Sequence, residues 1–224
     1  MHKKILCVIP SLPQDLSRAT IPSILGQTHP IDVLIVLPKK VEGGTLAERL
    51  SWILNDGLSH VRLEDFDYIL RVDGDIVLPP DFVEKNLEGE PDLRGDVGSA
   101  QLIKTSTFLR VMKGKFHPES DDSYLGLRYV KEKCKVYGDY VVKPFMVRGH
   151  AHQGVRYFLD SGTLGYKLGF EPIHMIAKGL RNWRNIFVII GYFVAMLRRE
   201  SKFDIADFVW SHQINRLRSL LAPN

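Results

Sequence analysis

Two acidic clusters in this chain have the residue types and spacing to do chemistry. Asp73-Gly74-Asp75 sets two carboxylates either side of a single glycine. The segment before it, Phe66-Asp67-Tyr68-Ile69-Leu70-Arg71-Val72, reads as a mostly buried strand, and a helix start with prolines in its first turn follows at Pro79-Pro80-Asp81-Phe82. The pair therefore stands at the carboxyl end of a strand, where open α/β sheets take their ligands. Like charges this close repel unless a cation shares them, so a hard divalent metal is the expected occupant, with positions left open for diphosphate oxygens. A solvated Asp-Gly-Asp turn is the bland alternative. The second cluster, Asp121-Asp122, precedes Ser123-Tyr124-Leu125-Gly126-Leu127-Arg128. Carboxylates are favoured there by the N–H groups and dipole of a helix start. An ionised carboxylate aimed from that position into a cleft can take a proton from a hydroxyl; as a plain cap it does no chemistry.

The elements that must hold these residues alternate. Strands are predicted near 4–9, 31–37, 67–72 and 97–103, and helices near 15–27, 45–58 and 80–87, the pattern of a parallel-type α/β sheet with βαβ crossovers. The run 104–118 has mixed character and reads in part as a mobile loop. No Gly-x-Gly-x-x-Gly follows the first strand and no Walker A loop occurs, which sets aside dinucleotide-binding, kinase and ATPase readings. With 224 residues, 45% apolar and 25% charged, the chain is one large domain, or one domain with an appendage, with an ordinary globular composition. Its two cysteines, Cys7 and Cys134, form no disulfide framework, which fits a reducing compartment. Ile5 to Ile9 is too short for a secretory signal, so a cytoplasmic location is expected.

The order of several segments resembles the family-2 glycosyltransferases, inverting enzymes whose DxD motif follows just such a strand. Lys4-Ile5-Leu6-Cys7-Val8-Ile9-Pro10 looks like the family's first strand and closing proline. Ile21 to Pro30 looks like its Gln-Thr-x-Pro helix ending, and Leu54-Asn55-Asp56-Gly57-Leu58 is similar to its Leu-Asn-x-Gly-Leu segment. The Asp121-Asp122-Ser123-Tyr124-Leu125-Gly126-Leu127-Arg128 run looks like its Glu-Asp-x-x-Leu-x-x-Arg motif, with Asp121 in place of the glutamate. Pro144 to His150 resembles the strand that ends in a metal-facing histidine. The resemblance covers roughly residues 4 to 152. It implies a GT-A fold, a Rossmann-like mixed α/β sheet flanked by helices, as a catalytic domain over 1–152 with a C-terminal helical appendage over 153–224. It further implies Asp73, Asp75 and His150 around Mg2+ or Mn2+, with His152 as the alternative ligand, and Asp122 as catalytic base. Pro10, Asn55 and Arg71 are second-rank donor-site candidates, and the favoured reading of Arg71 is a pairing with a DxD-loop carboxylate. The implied reaction moves a sugar from a nucleotide-diphosphate donor to a glycan or lipid-linked acceptor hydroxyl.

One departure leaves the donor base open. The family's second strand usually ends in a base-contacting Val-Asp-Asp, whereas here Ile35-Val36-Leu37 runs into Pro38-Lys39-Lys40. Asp15 is a substitute contact or a helix cap, and the two lysines are phosphate contacts or, by preference, solvated. The alternatives are a nucleotidyltransferase, whose glycine-rich, basic first loop Ser11 to Arg18 lacks, and a non-catalytic nucleotide-sugar-binding or scaffold member of the same fold.

The tail differs in character. Helices are predicted over 154–168, 172–180 and 203–221. Between the last two, residues 185–197 form an apolar stretch shorter than the roughly twenty residues of a membrane span. Lys178, Arg181, Arg184, Arg198, Arg199 and Lys202 flank it against Glu200 alone. Three readings stay open: a helix lying in an anionic headgroup region at the inner face of the cell membrane, pairing with a partner subunit as in a homodimer, and a hairpin packed on the sheet. Aromatics are not interleaved with the basic residues on a strand platform, so no nucleic-acid partner is expected.

Overall fold

The computed structural model describes residues 2–12, 14–37, 41–95, 99–147, 154–180 and 183–221. They belong to two compact units, Met1–Gly149 and His150–Asn224. Lys39, Lys40, His150 and His152 lie outside the described residues.

In the first unit β1 (Ile5–Ile9) is buried at every position, as a strand covered on both faces requires. It pairs in parallel with β2 (Val33–Val36) and β3 (Tyr68–Val72). Parallel neighbours need crossovers, and α1 (Thr20–Leu25) and α2 (Leu46–Ser59) supply them. The chain continues through β4 (Ile76–Val77), α3 (Phe82–Asn86), β5 (Leu93–Arg94), β6 (Ala100–Lys104), α4 (Thr105–Met112), α5 (Ser123–Lys131), β7 (Val136–Tyr137) and β8 (Phe145–Met146). The main sheet has the order β2-β1-β3-β6-β5-β7, and β4 with β8 forms a separate ribbon.

Strand alternation divides the core in two. Ile5, Cys7, Ile9, Tyr68, Leu70 and Val72 pack with Ile24, Phe82 and Leu102. Leu6, Val8 and Ile69 pack with Leu54, Leu58, Ile103, Phe108, Leu125 and Tyr129. By the same alternation Arg71 falls on the Ile69 side. α2 begins where the sequence says it should: Thr45 and Glu48 form a reciprocal capping box.

The sheet is mixed, as the family resemblance implies, with β6 antiparallel to both β3 and β5. Two expectations are corrected. The helix predicted over 15–27 is only Thr20–Leu25, since Ser17 N–H donates to the Gly74 carbonyl at 2.7 Å rather than to a helical turn. The segment read as a mobile loop contains α4. Phe108 anchors it, fully buried, a placement worth about 1.5–3 kcal/mol over exposure. The Thr107 hydroxyl also donates to Asp92 Oδ1 at 2.6 Å.

The second unit comprises α6 (Val155–Lys167), α7 (Pro172–Gly179), α8 (Ile186–Leu197) and α9 (Ala206–Leu221). Glu171 caps α7, its carboxylate accepting from the Ile173 and His174 N–H groups, with Pro172 in the first turn. Met175, Val188 and Tyr192 form the centre of the unit, and Tyr192 Oη donates to the Phe170 carbonyl at 2.7 Å. α6 and α8 approach with their backbones nearly in contact. A methyl group at Gly162 would lie 2.1 Å from the Val188 carbonyl oxygen, and one at Gly191 would lie 2.1 Å from that of Leu159. No helix among the described residues is long and apolar enough to cross a membrane.

Because neither backbone can yield locally, Gly162→Ala should overpack this crossing and destabilise the unit by about 1–3 kcal/mol. Urea denaturation followed by circular dichroism reads the effect, and an unchanged midpoint would refute the close approach.

Candidate active site

The site is built from the end of β3, the turn after it and the start of α5. Arg71 sits one residue before the end of β3 and is only 1% exposed. Its Nη2 lies 3.1 Å from Asp73 Oδ1 and 2.8 Å from Asp121 Oδ2. One buried guanidinium thus joins the strand that carries the Asp-Gly-Asp turn to the segment that opens α5. The pairing with Asp73 agrees with the reading of Arg71 from sequence. The second partner, Asp121, was not anticipated, although an arginine in an otherwise apolar buried strand is a signal that more than a turn carboxylate is needed.

The Asp73–Asp75 turn is held on several sides. Asp73 N–H donates to the Ser99 carbonyl at 2.9 Å, and Ile76 N–H closes the turn on the Asp73 carbonyl at 3.1 Å. The Gly74 carbonyl accepts from Ser17 N–H and, at 2.9 Å, from the Thr20 hydroxyl. Glycine is required between the carboxylates, because a methyl group there would lie 2.1 Å from Ser11 Oγ and 2.5 Å from Ser11 Cβ. Pro10, buried at the end of β1, directly precedes that serine. On the other flank Val147 N–H donates to the Asp75 carbonyl at 2.9 Å, continuing the β4–β8 pairing. The chain leading towards His150 therefore passes beside Asp75, though His150 and His152 are themselves outside the described residues.

Asp122 is the N-cap of α5. Its Oδ1 accepts from Ser123 N–H and, at 3.1 Å, from the Ser123 hydroxyl. Leu125 is fully buried beneath it, and Arg128 pairs with Glu132 one turn on. Asn55 clamps the backbone of Phe116. Its Nδ2 donates to the Phe116 carbonyl at 3.0 Å and its Oδ1 accepts from Phe116 N–H at 2.7 Å. The amide thus positions the segment that runs into Asp121 and Asp122. An open cleft of about 630 Å3 lies along α2, with Glu48, Trp52, Asn55, Lys115 and Glu119 among its walls.

Four carboxylates, Asp73, Asp75, Asp121 and Asp122, share this region with one guanidinium. Burial pushes the Asp121 carboxyl up to about 6, and the charges of Asp122 and Asp73 push the same way against Arg71. Burial also raises Asp73, opposed by Arg71 and reinforced by Asp122 and Asp75. The excess of negative charge is the chemistry a divalent cation neutralises, so the donor set fits one. Among the described residues no three His, Cys, Asp or Glu side chains are gathered to hold a metal by themselves.

No protein-family model matches the sequence, and no curated protein matches it. Among solved structures the chain is similar to a mannosyltransferase from Pyrobaculum calidifontis in complex with GDP-Man and Mn2+. The TM-score is 0.56 at 11% identity, over 97% of this chain and 81% of that one. The fold is of the GT-A type. Weaker likenesses, too distant to equate whole folds, are to A197 from STIV and to a cytidylyltransferase from Leptospira borgpetersenii serovar Hardjo-bovis. The first has a TM-score of 0.42 at 17% identity, over 65% of this chain and 86% of that one. The second has 0.38 at 12%, over 89% and 95%. In the GT-A framework the carboxylate cluster occupies the carboxyl end of a central parallel strand, where such sheets bind ligands.

Arg71→Met should cost about 3–5 kcal/mol, because it leaves buried carboxylates without their cation. The loss should be pH-dependent. A carboxyl whose folded-state pKa exceeds its unfolded value makes the folded chain the stronger proton binder, so stability rises as pH falls between the two. Asp121 already stands at about 6 against an ordinary 3.8, and losing Arg71 raises it further. The deficit of Arg71→Met relative to wild type should therefore shrink between about pH 8 and about pH 5. Urea melts at both values test this; an equal or larger deficit in acid contradicts it.

Proposed function

We propose that the chain is a metal-dependent inverting glycosyltransferase of the family-2 kind, moving a sugar from a nucleotide-diphosphate donor to an acceptor hydroxyl. The observation that carries the reading is one buried arginine bridging Asp73 and Asp121, with Asp75 and Asp122 beside them in the chain, at the ligand-binding end of a GT-A sheet. The likeness to a mannosyltransferase solved with GDP-Man and Mn2+ supports it.

Asp73 and Asp75, together with His150, would hold Mg2+ or Mn2+, the two carboxylates directly or through water. Bound there, such a cation supplies charge neutralisation for a departing diphosphate. The rest of the chemistry falls to this chain's own groups. Arg71 fixes Asp73 and ties it through Asp121 to the start of α5, so the two acidic clusters keep a set spacing. Ser123 holds one oxygen of Asp122, which orients the carboxylate. Asp122 takes the proton of the acceptor hydroxyl as its oxygen forms a bond to the anomeric carbon. The bond to the diphosphate breaks on the opposite face, and the electron pair leaves with the nucleotide. Inversion follows from that single displacement.

Asp75→Asn should abolish Mn2+-dependent stabilisation by nucleoside diphosphates in a thermal-shift panel while leaving the apo melting temperature no lower than wild type, since an empty carboxylate cluster repels itself. Retention of wild-type turnover in this variant, or full activity in excess EDTA, would overturn the metal role.

Asp122→Asn should keep donor affinity within a few-fold and reduce turnover by roughly 10²–10⁴, the usual worth of general-base catalysis. Collapse of donor affinity would reassign Asp122 to binding, and retention of configuration in the product would exclude the single displacement.

A further inference from the structure

α8 is apolar on all sides, yet only one side is covered. Val188, Gly191, Tyr192 and Ala195 are buried, whereas Ile186 is 53% exposed, Ile190 44% and Leu197 79%. The outward three repeat at helical spacing and form a stripe along the helix. α7, packed against α8 where Gly179 meets the Ile189 side chain, behaves likewise. Met175 and Gly179 are buried, while Ile173 is 66% exposed and Leu180 79%. Between the helices Trp183 stands 74% exposed, with the Arg184 guanidinium 5.5 Å from its ring. Apolar exposure gathered in this way marks an interaction surface rather than ordinary surface scatter.

Charge identifies the partner. Lys178 is exposed at the end of α7 and Arg198 at the end of α8, and in residues 172–203 Glu200 is the single acidic residue. Cations bordering an apolar stripe, with a tryptophan at the margin, match a layer of anionic headgroups above acyl chains. A 12-residue helix rises about 18 Å, too little to cross the roughly 30 Å hydrocarbon core. We propose that the outward faces of α7 and α8 form a peripheral docking surface for an anionic lipid bilayer, with α8 lying in the headgroup plane.

The intact chain should sediment with phosphatidylcholine vesicles containing phosphatidylglycerol. It should bind pure phosphatidylcholine vesicles weakly and leave the anionic ones as salt rises. Lys178→Gln and Arg198→Gln should each weaken binding about 5-fold. Ile186→Gln and Ile190→Gln should each weaken it about 10-fold, without shifting the melting temperature, because these side chains face outward. A Trp52→Phe/Trp210→Phe chain leaves Trp183 as its sole tryptophan, so its emission should shift to the blue on anionic vesicles even if another variant folds poorly. Absence of vesicle binding, an unmoved Trp183 emission, or glutamine variants that bind as wild type would each overturn the proposal. A dimer that Ile190→Gln dissociates would also overturn it, giving the face to a second copy. Donor binding through Asp73 and Asp75 is a separate measurement, so failure here leaves that reading intact.

Discussion

The carboxylate cluster depends on one buried cation. Arg71 is enclosed in the sheet, and among the described residues its Nε and Nη1 have no hydrogen-bond partner. Replacing Arg71, Asp73 and Asp121 together by apolar residues would cost the fold little, since buried ion networks often contribute little net stability, whereas removing Arg71 alone strands its two carboxylates. What the guanidinium does supply is a fixed separation between two acidic segments far apart in sequence. Without it the Asp73 and Asp121 carboxylates would repel each other, and the turn after β3 would have no electrostatic reason to face the start of α5. Its arrangement favours assembly of a site over economy of folding.

The surrounding structure removes freedom from the backbone while leaving some side chains accessible. Gly74 is locked by Ser11, Ser17 and Thr20, and Phe116 by both ends of the Asn55 amide. Asp75 and Asp122 remain only partly buried, with Asp122 restrained through one oxygen. This is the distribution that electrostatic catalysis needs: rigid supports set in advance, and charged groups that still meet a ligand.

Much of this was legible in the sequence because the signals were local. Ile5–Ile9 and Tyr68–Val72 are apolar runs of strand length, a helix is expected near 45–58 where α2 lies, and Asp122 occupies a capping position. Strand direction was not legible for β6, since Ala100–Lys104 has the same composition whichever way it runs and only its long-range pairing with β3 decides. α4 was missed because its inward face rests on Phe108 and two threonines, a thin signal amid Lys, Arg and Gly. Asn55 and Asp121 were found as motif members, but their partners, Phe116 and Arg71, lie across the fold and leave no periodic trace.

The second unit shows the same limit more sharply. An all-apolar helix has no polar face to indicate which side is covered, so the sequence of α8 is compatible with core, partner and lipid alike. The glycines decide. Gly162 and Gly191 let the α6 and α8 backbones meet, and that contact turns Val188, Gly191, Tyr192 and Ala195 inward. Helical geometry then carries Ile186, Ile190 and Leu197 to the outside. The exposed stripe is thus a consequence of how closely two helices pack, and any residue larger than glycine at that crossing would alter the face the unit presents.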